Sequence, residues 1–423
     1  MLIRWPWRLF HQGRLPTPER HWGREHFIPM TPGELVSRIG ALEAAEGRDA
    51  ADFGKLGDQI IELIHRQYRP HQIQLVSLYH GFDPDRDAPF VSPDEVQPET
   101  NDSFDTIDRE DTSRKLFSEI SDSLHFANYR RLKPTEILEA LKAASHWGVR
   151  LKIRFSSFRR LEVYGRGDIV AKRWRRELHR FYRLREVDVP IYQRLVVVFR
   201  TKQTQILSEL LAPEFIHVRM FKNIPKADVD MMLPGTQVRL NWMDTGKIGL
   251  PTAWGMSMLA SKIAKSVWLL AWLSAAKAIS SVLFLIAILV ATSIYGVKSL
   301  FSYTTAKRRY QLSIAKNLYY QNLDNNLGAL LRLIDEAEQQ EACEAIVGYF
   351  VLARSDSSGL DSNEIDRKAE ILLKKLTGVD IDFDVDDALR DLARMRICEL
   401  TSQGWTALSV ERAIKETNLG AKP

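Results

Sequence analysis

Cysteine is scarce, with only Cys343 and Cys398 in 423 residues, and neither has a second Cys or a His at metal-ligand spacing. The scarcity excludes a disulfide framework and a thiolate zinc cage. Both thiols fall in stretches read as helical, so they are expected to be small, reduced core residues of a cytoplasmic compartment. Catalytic signatures are missing as well: the chain has no GxSxG elbow, no HExxH, no P-loop and no kinase set. Histidine runs out at His217, upstream of the acidic run Asp335, Glu336, Glu338, Glu341 and Glu344. Carboxylates on facing helices hold a di-metal centre when a His follows three residues on, and here none does. The run is therefore expected to be a solvated acidic face, with no metal ligand, cofactor or catalytic residue assigned. His65 and His71, which bracket Pro70 without an acidic or thiol ligand beside them, read as surface residues. The opening MLIRWPWRLFHQGR lacks the continuous apolar stretch and cleavage site of a secretory signal and reads as a tail.

Charge is what the middle of the chain lacks. Residues 278–297 pass without one charged side chain, and twenty such residues are the length an α-helix needs to cross the hydrocarbon core of a bilayer. The preceding segment, 256–276, is apolar apart from Lys262 and Lys265. Two topologies compete for it. As an interfacial helix it sets its lysines among headgroups and Trp254, Trp268 and Trp272 at the boundary, leaving one crossing. As a second span it makes a hairpin turning at Lys277, its lysines snorkelling back to the cytoplasmic side. Basic residues on both flanks, with Lys298, Lys307, Arg308 and Arg309 after the span, favour the hairpin. The want of a Gly or Pro between the two segments favours the single pass.

The pattern divides the chain. Residues 1–26 are a tail and 27–103 an N-terminal helical region. There Thr31-Pro32 opens one helix, and Leu56, Ile60, Ile61 and Ile64 mark the face of another that Pro70 is expected to end or kink. An Asp- and Pro-rich linker at 83–102 closes this region. Residues 104–250 read as an α+β domain: helical patterns at 116–127 and 134–145, then VRLKIRF, RLEVYG, RLVVVFR and FIHVRMF as strands. Tyr164-Gly165-Arg166-Gly167-Asp168 reads as a glycine turn closing one of them. Residues 251–300 hold the membrane segment, and 301–354 long helices with a break at 322–326. Residues 355–423 follow a helix-helix-hairpin order that suits a winged-helix-like module. The expected fold class is an α+β membrane protein, mostly helical, with one or two transmembrane helices.

The stretches HFIPMTPGELV, FKNIPKADVDMMLPGTQVRLNWMD, KRRYQLSIAKNLYYQNLDNNLGALLRLIDEAEQQEACEAIVGYF and IDFDVDDALRDLAR resemble the transmembrane protein 143 family, over residues 27–408. The resemblance implies a membrane protein of a kind found in bacteria, plants and mitochondria, defined by a domain of unknown function. It implies no reaction and carries no catalytic residue to any position here.

Residues 172–185, KRWRRELHRFYRLR, are dense in arginine. Read as a helix, they place Arg173, Arg176, Arg180 and Arg183 on one stripe. Such a stripe suits contact with a membrane surface at about 1 kcal/mol per basic residue near anionic lipid; Lys262 and Lys265 join it as membrane-surface contacts. The alternatives are a solvated face that pairs with Glu177 and Glu186, or contact with a nucleic-acid backbone. Nucleic acid is disfavoured, because the would-be recognition helix of the C-terminal module opens on Asp384, Asp386 and Asp387 and continues to Asp391. Those acids suit the positive end of a helix. The expected function is a non-enzymatic, membrane-anchored adaptor or scaffold whose cytoplasmic head binds a partner protein or anionic lipid, with homo-oligomers left open. The competing reading is a membrane-tethered enzyme with an unrecognised site in the α+β domain. The lack of a Ser-rich, Arg-bearing transit peptide points to a bacterial inner membrane.

Overall fold

The computed structural model describes residues 24–47, 50–87, 102–137, 149–152, 155–176, 184–202, 212–226, 320–355 and 359–420, together with 229, 232–233, 237–240, 261, 290 and 305. Two compact units divide the chain: Met1–Pro134, Phe155–Lys226 and Asn322–Pro423 in the first, Thr135–Arg154 and Ala227–Gln321 in the second.

In the first unit, α1 (Pro32–Ala45) begins where the Thr31 hydroxyl accepts the Glu34 N–H at 3.3 Å, and Pro32 fills a first-turn position that needs no amide. Helix α2 (Ala50–His80) runs through Pro70 instead of ending there. Arg66 and Pro70 are both exposed, so water can take the carbonyl that Pro70 leaves without an amide partner. Helix α3 (Asp102–Phe126) is followed by the strands β1 (Arg130–Arg131), β2 (Val149–Lys152), β3 (Phe158–Arg176), β4 (Leu184–Thr201), β5 (Ile216–Pro225), β6 (Gln237–Leu240) and β7 (Asn322–Asn325). Five of them form an antiparallel sheet in the order β1-β3-β4-β5-β7. In the second unit, β2 and β6 pair antiparallel from Val149↔Leu240 to Lys152↔Gln237.

The expected glycine turn is absent. Strand β3 continues through Gly165 and Gly167 to Arg176. Gly167 adopts φ +72, and both its N–H and that of Asp168 are donated to the Glu25 carboxylate at 3.2 and 3.3 Å. The glycine thus serves a local irregularity within a strand, not its end.

Helix α4 (Asn326–Ala353) follows β7 at the break expected near 322–326. The Asn326 side chain fixes this corner, accepting the Val218 N–H at 3.2 Å and donating to Asp85 at 2.6 Å. From Gln340 to Leu352 every residue of α4 is buried, which is the pattern of a helix enclosed on all sides. Helix α5 (Ser362–Thr377) is capped by Asp361 and ends at Gly378 in the left-handed region, φ 74. Helix α6 (Val385–Arg394), the hairpin of β8 (Cys398–Thr401) and β9 (Gly404–Ala407), and α7 (Val410–Gly420) complete the unit. Cys398 therefore opens a strand, not a helix, because the helix ends at Arg394 and the chain turns through Arg396 at φ 59. Both cysteines are free and buried.

Two hydrophobic clusters share the two longest helices. One gathers Leu35 and Ile39 of α1, Phe53, Leu56, Ile60 and Ile64 of α2, residues of α4 from Ala342 to Leu352, and the C-terminal helices. The other gathers Leu75 and Tyr79 of α2, Leu116, Phe117 and Ile120 of α3, Val196 and Val218 of the sheet, and Leu330, Leu333 and Ile334 of α4. The sheet is pinned to α4 by Arg166. Its guanidinium meets Glu336 at 2.9 Å and the Ala127 carbonyl at 2.9 Å, and it lies 3.9 Å over the Phe27 ring and 4.5 Å over the Tyr129 ring. The Tyr129 hydroxyl donates to Glu336 at 2.7 Å. Burial pushes the Glu336 pKa up, but Arg166, Tyr129, Arg194 and Arg332 together outweigh it and hold the carboxyl below its usual range.

No helix among the described residues is long and apolar enough to cross a membrane, so the expected class of an α+β protein with one or two transmembrane helices is corrected to a five-stranded antiparallel sheet with helices. The most apolar described helix, α4, owes its composition to enclosure by protein, and the longest, α2, keeps its charged residues along an exposed side. The expected span at 278–297 lies outside the described residues except for Val290, and the segment 256–276 except for Ser261. The linker from 88 to 101 and most of the expected helix at 134–145 lie outside them too.

Arg166→Met leaves the half-buried Glu336 short of its main counter-charge and is expected to cost about 3 kcal/mol in urea denaturation, partly restored by adding Glu336→Gln. His217 on β5 supplies a pH dependence. It stacks on Phe199 with centroids 5.0 Å apart, and its Nε2 has no hydrogen-bond partner among the described residues. Burial, with Arg219 adding to it and Asp85 opposing, pushes its pKa down to about 4. The unfolded chain takes up that proton near pH 6.5, so stability falls as pH drops from about 6.5 to about 4. Tm measured across this window declines, and His217→Gln flattens the decline.

Candidate functional site

The basic segment 172–185 is not a helix where the structure describes it. Arg173 and Arg176 lie in β3, in register with Val187 and Leu184 of β4. A strand repeats every two residues, so a spacing of three or four builds no stripe on it. Arg180, Arg183, Lys262 and Lys265 lie outside the described residues. What the backbone forms is a ribbon. Strand β5 pairs with β4 only as far as Ile191, while β3 and β4 stay in register from Val170↔Pro190 to Arg176↔Leu184. That stretch is about 20 Å of two-stranded sheet at roughly 3.3 Å per residue. A small apolar root of Ile169, Ala171 and Ile191, with Val189 against it, anchors the ribbon to the sheet. Lys172 meets Glu186 across it at 3.2 Å.

The acidic run of α4 is not a uniform solvated face. Its members occupy different environments because the helix dips from a half-exposed stretch into the core. Asp335 is exposed and accepts from Gln339 at 3.0 Å. Glu336 is held by Arg166. Glu338 meets Nδ1 of the exposed His65 at 2.9 Å. His71 is half-buried, 2.9 Å from the Ser123 hydroxyl. Glu341 and Glu344 are each only 3% exposed.

These last two face Asp387 in the first turn of α6. One carboxylate oxygen from each of Glu341, Glu344 and Asp387 lies within 4.8 Å of the others. The sequence folds this way for local reasons. A spacing of three sets Glu341 and Glu344 one above the other on α4. Asp384 caps α6 by accepting the Asp387 N–H at 3.4 Å, which fixes the turn bearing Asp387. Asn128 reaches in from the turn after α3, at φ 58, and donates its side-chain N–H to Glu344 at 2.9 Å.

Counter-charge is thin. Arg390 donates to Asp387 at 2.6 Å and stands 3.8 Å from Glu341, and Arg394 meets Asp391 at 3.3 Å. Burial raises the Glu341 pKa to about 10, with the adjoining Asp391 carboxyl, then Glu344 and Asp387, adding to it. Burial likewise raises Glu344 well above the carboxylate range, despite the hydrogen bond from Asn128. Carboxyls so placed must be neutralised, by protons or by a cation. The sequence reading missed them by treating the acidic run as one face. The signal was the apolar run ACEAIVGYFVL around Glu344, which marks a helix with no water-facing side.

Residues 192–328 match the model of a family described as a protein of unknown function, DUF3754. That is about a third of the chain, from the inner part of β4 to the first turn of α4, and it includes neither the outer ribbon nor the buried carboxylates. No curated protein and no solved structure matches the chain.

Proposed function

We propose that the protein is a non-enzymatic adaptor that docks on an anionic lipid surface through the ribbon of β3 and β4 and holds a partner protein with its helical layer. The observation that carries this reading is the ribbon, which runs on past β5 with no third strand beside it among the described residues. Two-stranded sheet is marginal by itself in water, so an extension of this length gains most when its surface is used. Between 170 and 190 the sequence places seven Lys and Arg against Glu177, Glu186 and Asp188. A net excess of four at about 1 kcal/mol each amounts to roughly 4 kcal/mol, a dissociation constant of about 1 mM. Docking of that strength is reversible and works alongside a second attachment. It also weakens with salt, since exposed charges are screened beyond about 8 Å at physiological ionic strength. The resemblance to the transmembrane protein 143 family supports a membrane setting, and two free, buried thiols are in keeping with a cytoplasmic face.

Sedimentation of the full chain with vesicles tests the reading. Binding is expected to phosphatidylcholine vesicles that contain phosphatidylserine and not to phosphatidylcholine alone. It should fall by at least tenfold in Arg173→Glu/Arg176→Glu/Arg180→Glu/Arg183→Glu. Equal binding to neutral vesicles, or undiminished binding by the charge-reversed protein, overturns it.

A further inference from the structure

We infer that Arg194, Arg332 and Lys222 form a binding site for one phosphate dianion, free or carried on a phosphomonoester headgroup, where the sheet meets α4. The pairing register is the first support. It sets Arg166 of β3 opposite Arg194 of β4, and Arg194 opposite Lys222 of β5. Residues directly opposite share one face of a sheet, so three cations stand in a row across it, an arrangement that weakens the sheet unless negative charge offsets it. Arg332 joins them from α4: its Nε and that of Arg194 approach the same oxygen, Oε1 of Glu336, at 3.5 and 3.6 Å.

The second observation is a shortage of acceptors. Oε2 of Glu336 is taken by Arg166 at 2.9 Å and by the Tyr129 hydroxyl at 2.7 Å. Oε1 lies too far from the other two guanidiniums to hydrogen-bond either, and the buried Nε atoms of Arg194 and Arg332 have no partner among the described residues. Glu162, on the same face of the sheet, shows the matched case. It also serves two arginines, but at hydrogen-bond distance, Arg131 at 3.1 Å and Arg160 at 2.9 Å. A guanidinium carries five N–H donors. Among the described residues Arg332 makes no hydrogen bond, and Arg194 makes one, a long one of 3.4 Å to the Gln193 carbonyl. Lys222 is exposed, with no carboxylate at ion-pair distance among those residues.

The neighbouring acids are engaged elsewhere. Glu25 accepts the amides of Gly167 and Asp168, Asp168 pairs with Lys226, and Asp335 accepts from Gln339. Three guanidiniums thus share one carboxylate, with Lys222 on the adjoining strand. Arg166 is enclosed and spent on Glu336 and the Ala127 carbonyl. Arg194 and Arg332, 29% and 38% exposed, can be reached from solvent. Two planar forks and an ammonium suit a tetrahedral oxyanion, whose edges can each take a bidentate guanidinium, whereas a carboxylate has a single pair of oxygens to offer. A dianion also offsets more of the positive excess than a single charge does.

Docking through the ribbon plays no part in this inference, and the ribbon's charge-reversed variant leaves these three residues in place. The full chain is titrated with inorganic phosphate at mildly alkaline pH by calorimetry and by thermal shift, with sodium chloride of matched ionic strength as control. One phosphate per chain is expected, with a rise in Tm that chloride does not give. Arg194→Gln and Arg332→Gln should each weaken phosphate by tenfold or more, and the ribbon variant should bind it undiminished. If Arg194→Gln fails to fold, the more exposed Arg332→Gln carries the comparison. Soluble short-chain phosphatidic acid then separates the two sources: binding at least tenfold tighter than phosphate, and lost in Arg332→Gln, upholds the site as one for a lipid headgroup, and binding no tighter upholds it as one for free phosphate. The inference is overturned by no heat and no thermal shift up to millimolar phosphate, by an equal shift with chloride, or by undiminished binding in the folded variants.

Discussion

Enclosure of α4 is the constraint on which the first unit depends. A helix with no water-facing side over its second half must find a protein partner for each polar group it carries. Gln340 finds the backbone of Ile28, and Tyr349 finds the Leu408 carbonyl at 3.0 Å. Glu336, just before the enclosed stretch, is matched by Arg166 and Tyr129. Each of these contacts brings in a different segment of the chain: the N-terminal strap, the C-terminal hairpin, and the sheet. Matching the polar groups of one helix therefore fixes the arrangement of its neighbours, and the apolar residues between them supply the driving force.

The strap before α1 shows how far this reaches. Glu25 bridges to Ile381 and takes two amides of β3, and Arg24 pairs with Glu370 at 2.6 Å and with Asp382 at 2.9 Å. Phe27 lies against Arg166, and Ile28 is fully buried against α4. These four residues thus touch the sheet, the central helix and the C-terminal module. One of the contacts, the bridge to Ile381, is a backbone ladder bond, which has no side-chain signature in the sequence.

Fold and site were legible to different depths. The four strand patterns, the Thr31-Pro32 helix start and the break near 322–326 are local. They rest on alternation, capping and chain breakers that act within a few residues. The basic segment was misread because arginines spaced by three and four satisfy a helical stripe, while its place in the sheet depends on pairing with Leu184–Val187, which no local pattern declares. Pro70 was expected to end or kink α2, and the helix does not end there: whether a proline ends a helix depends on whether water can reach the carbonyl it strands, which is a matter of burial.

The sequence by itself determined which segments are helix and strand across most of the first unit, the scarcity of reactive thiols, and the uncharged stretch at 278–297. It also placed Glu341 and Glu344 one turn apart, since that follows from helical period alone. Only the tertiary structure decided that those two carboxylates lie in the core beside Asp387, while Asp335 on the same helix stays in water. The reason is that the chemistry of a carboxylate is set by its surroundings. Desolvation and the charges that face it come from α6 and the turn after α3, roughly forty residues downstream and over two hundred upstream.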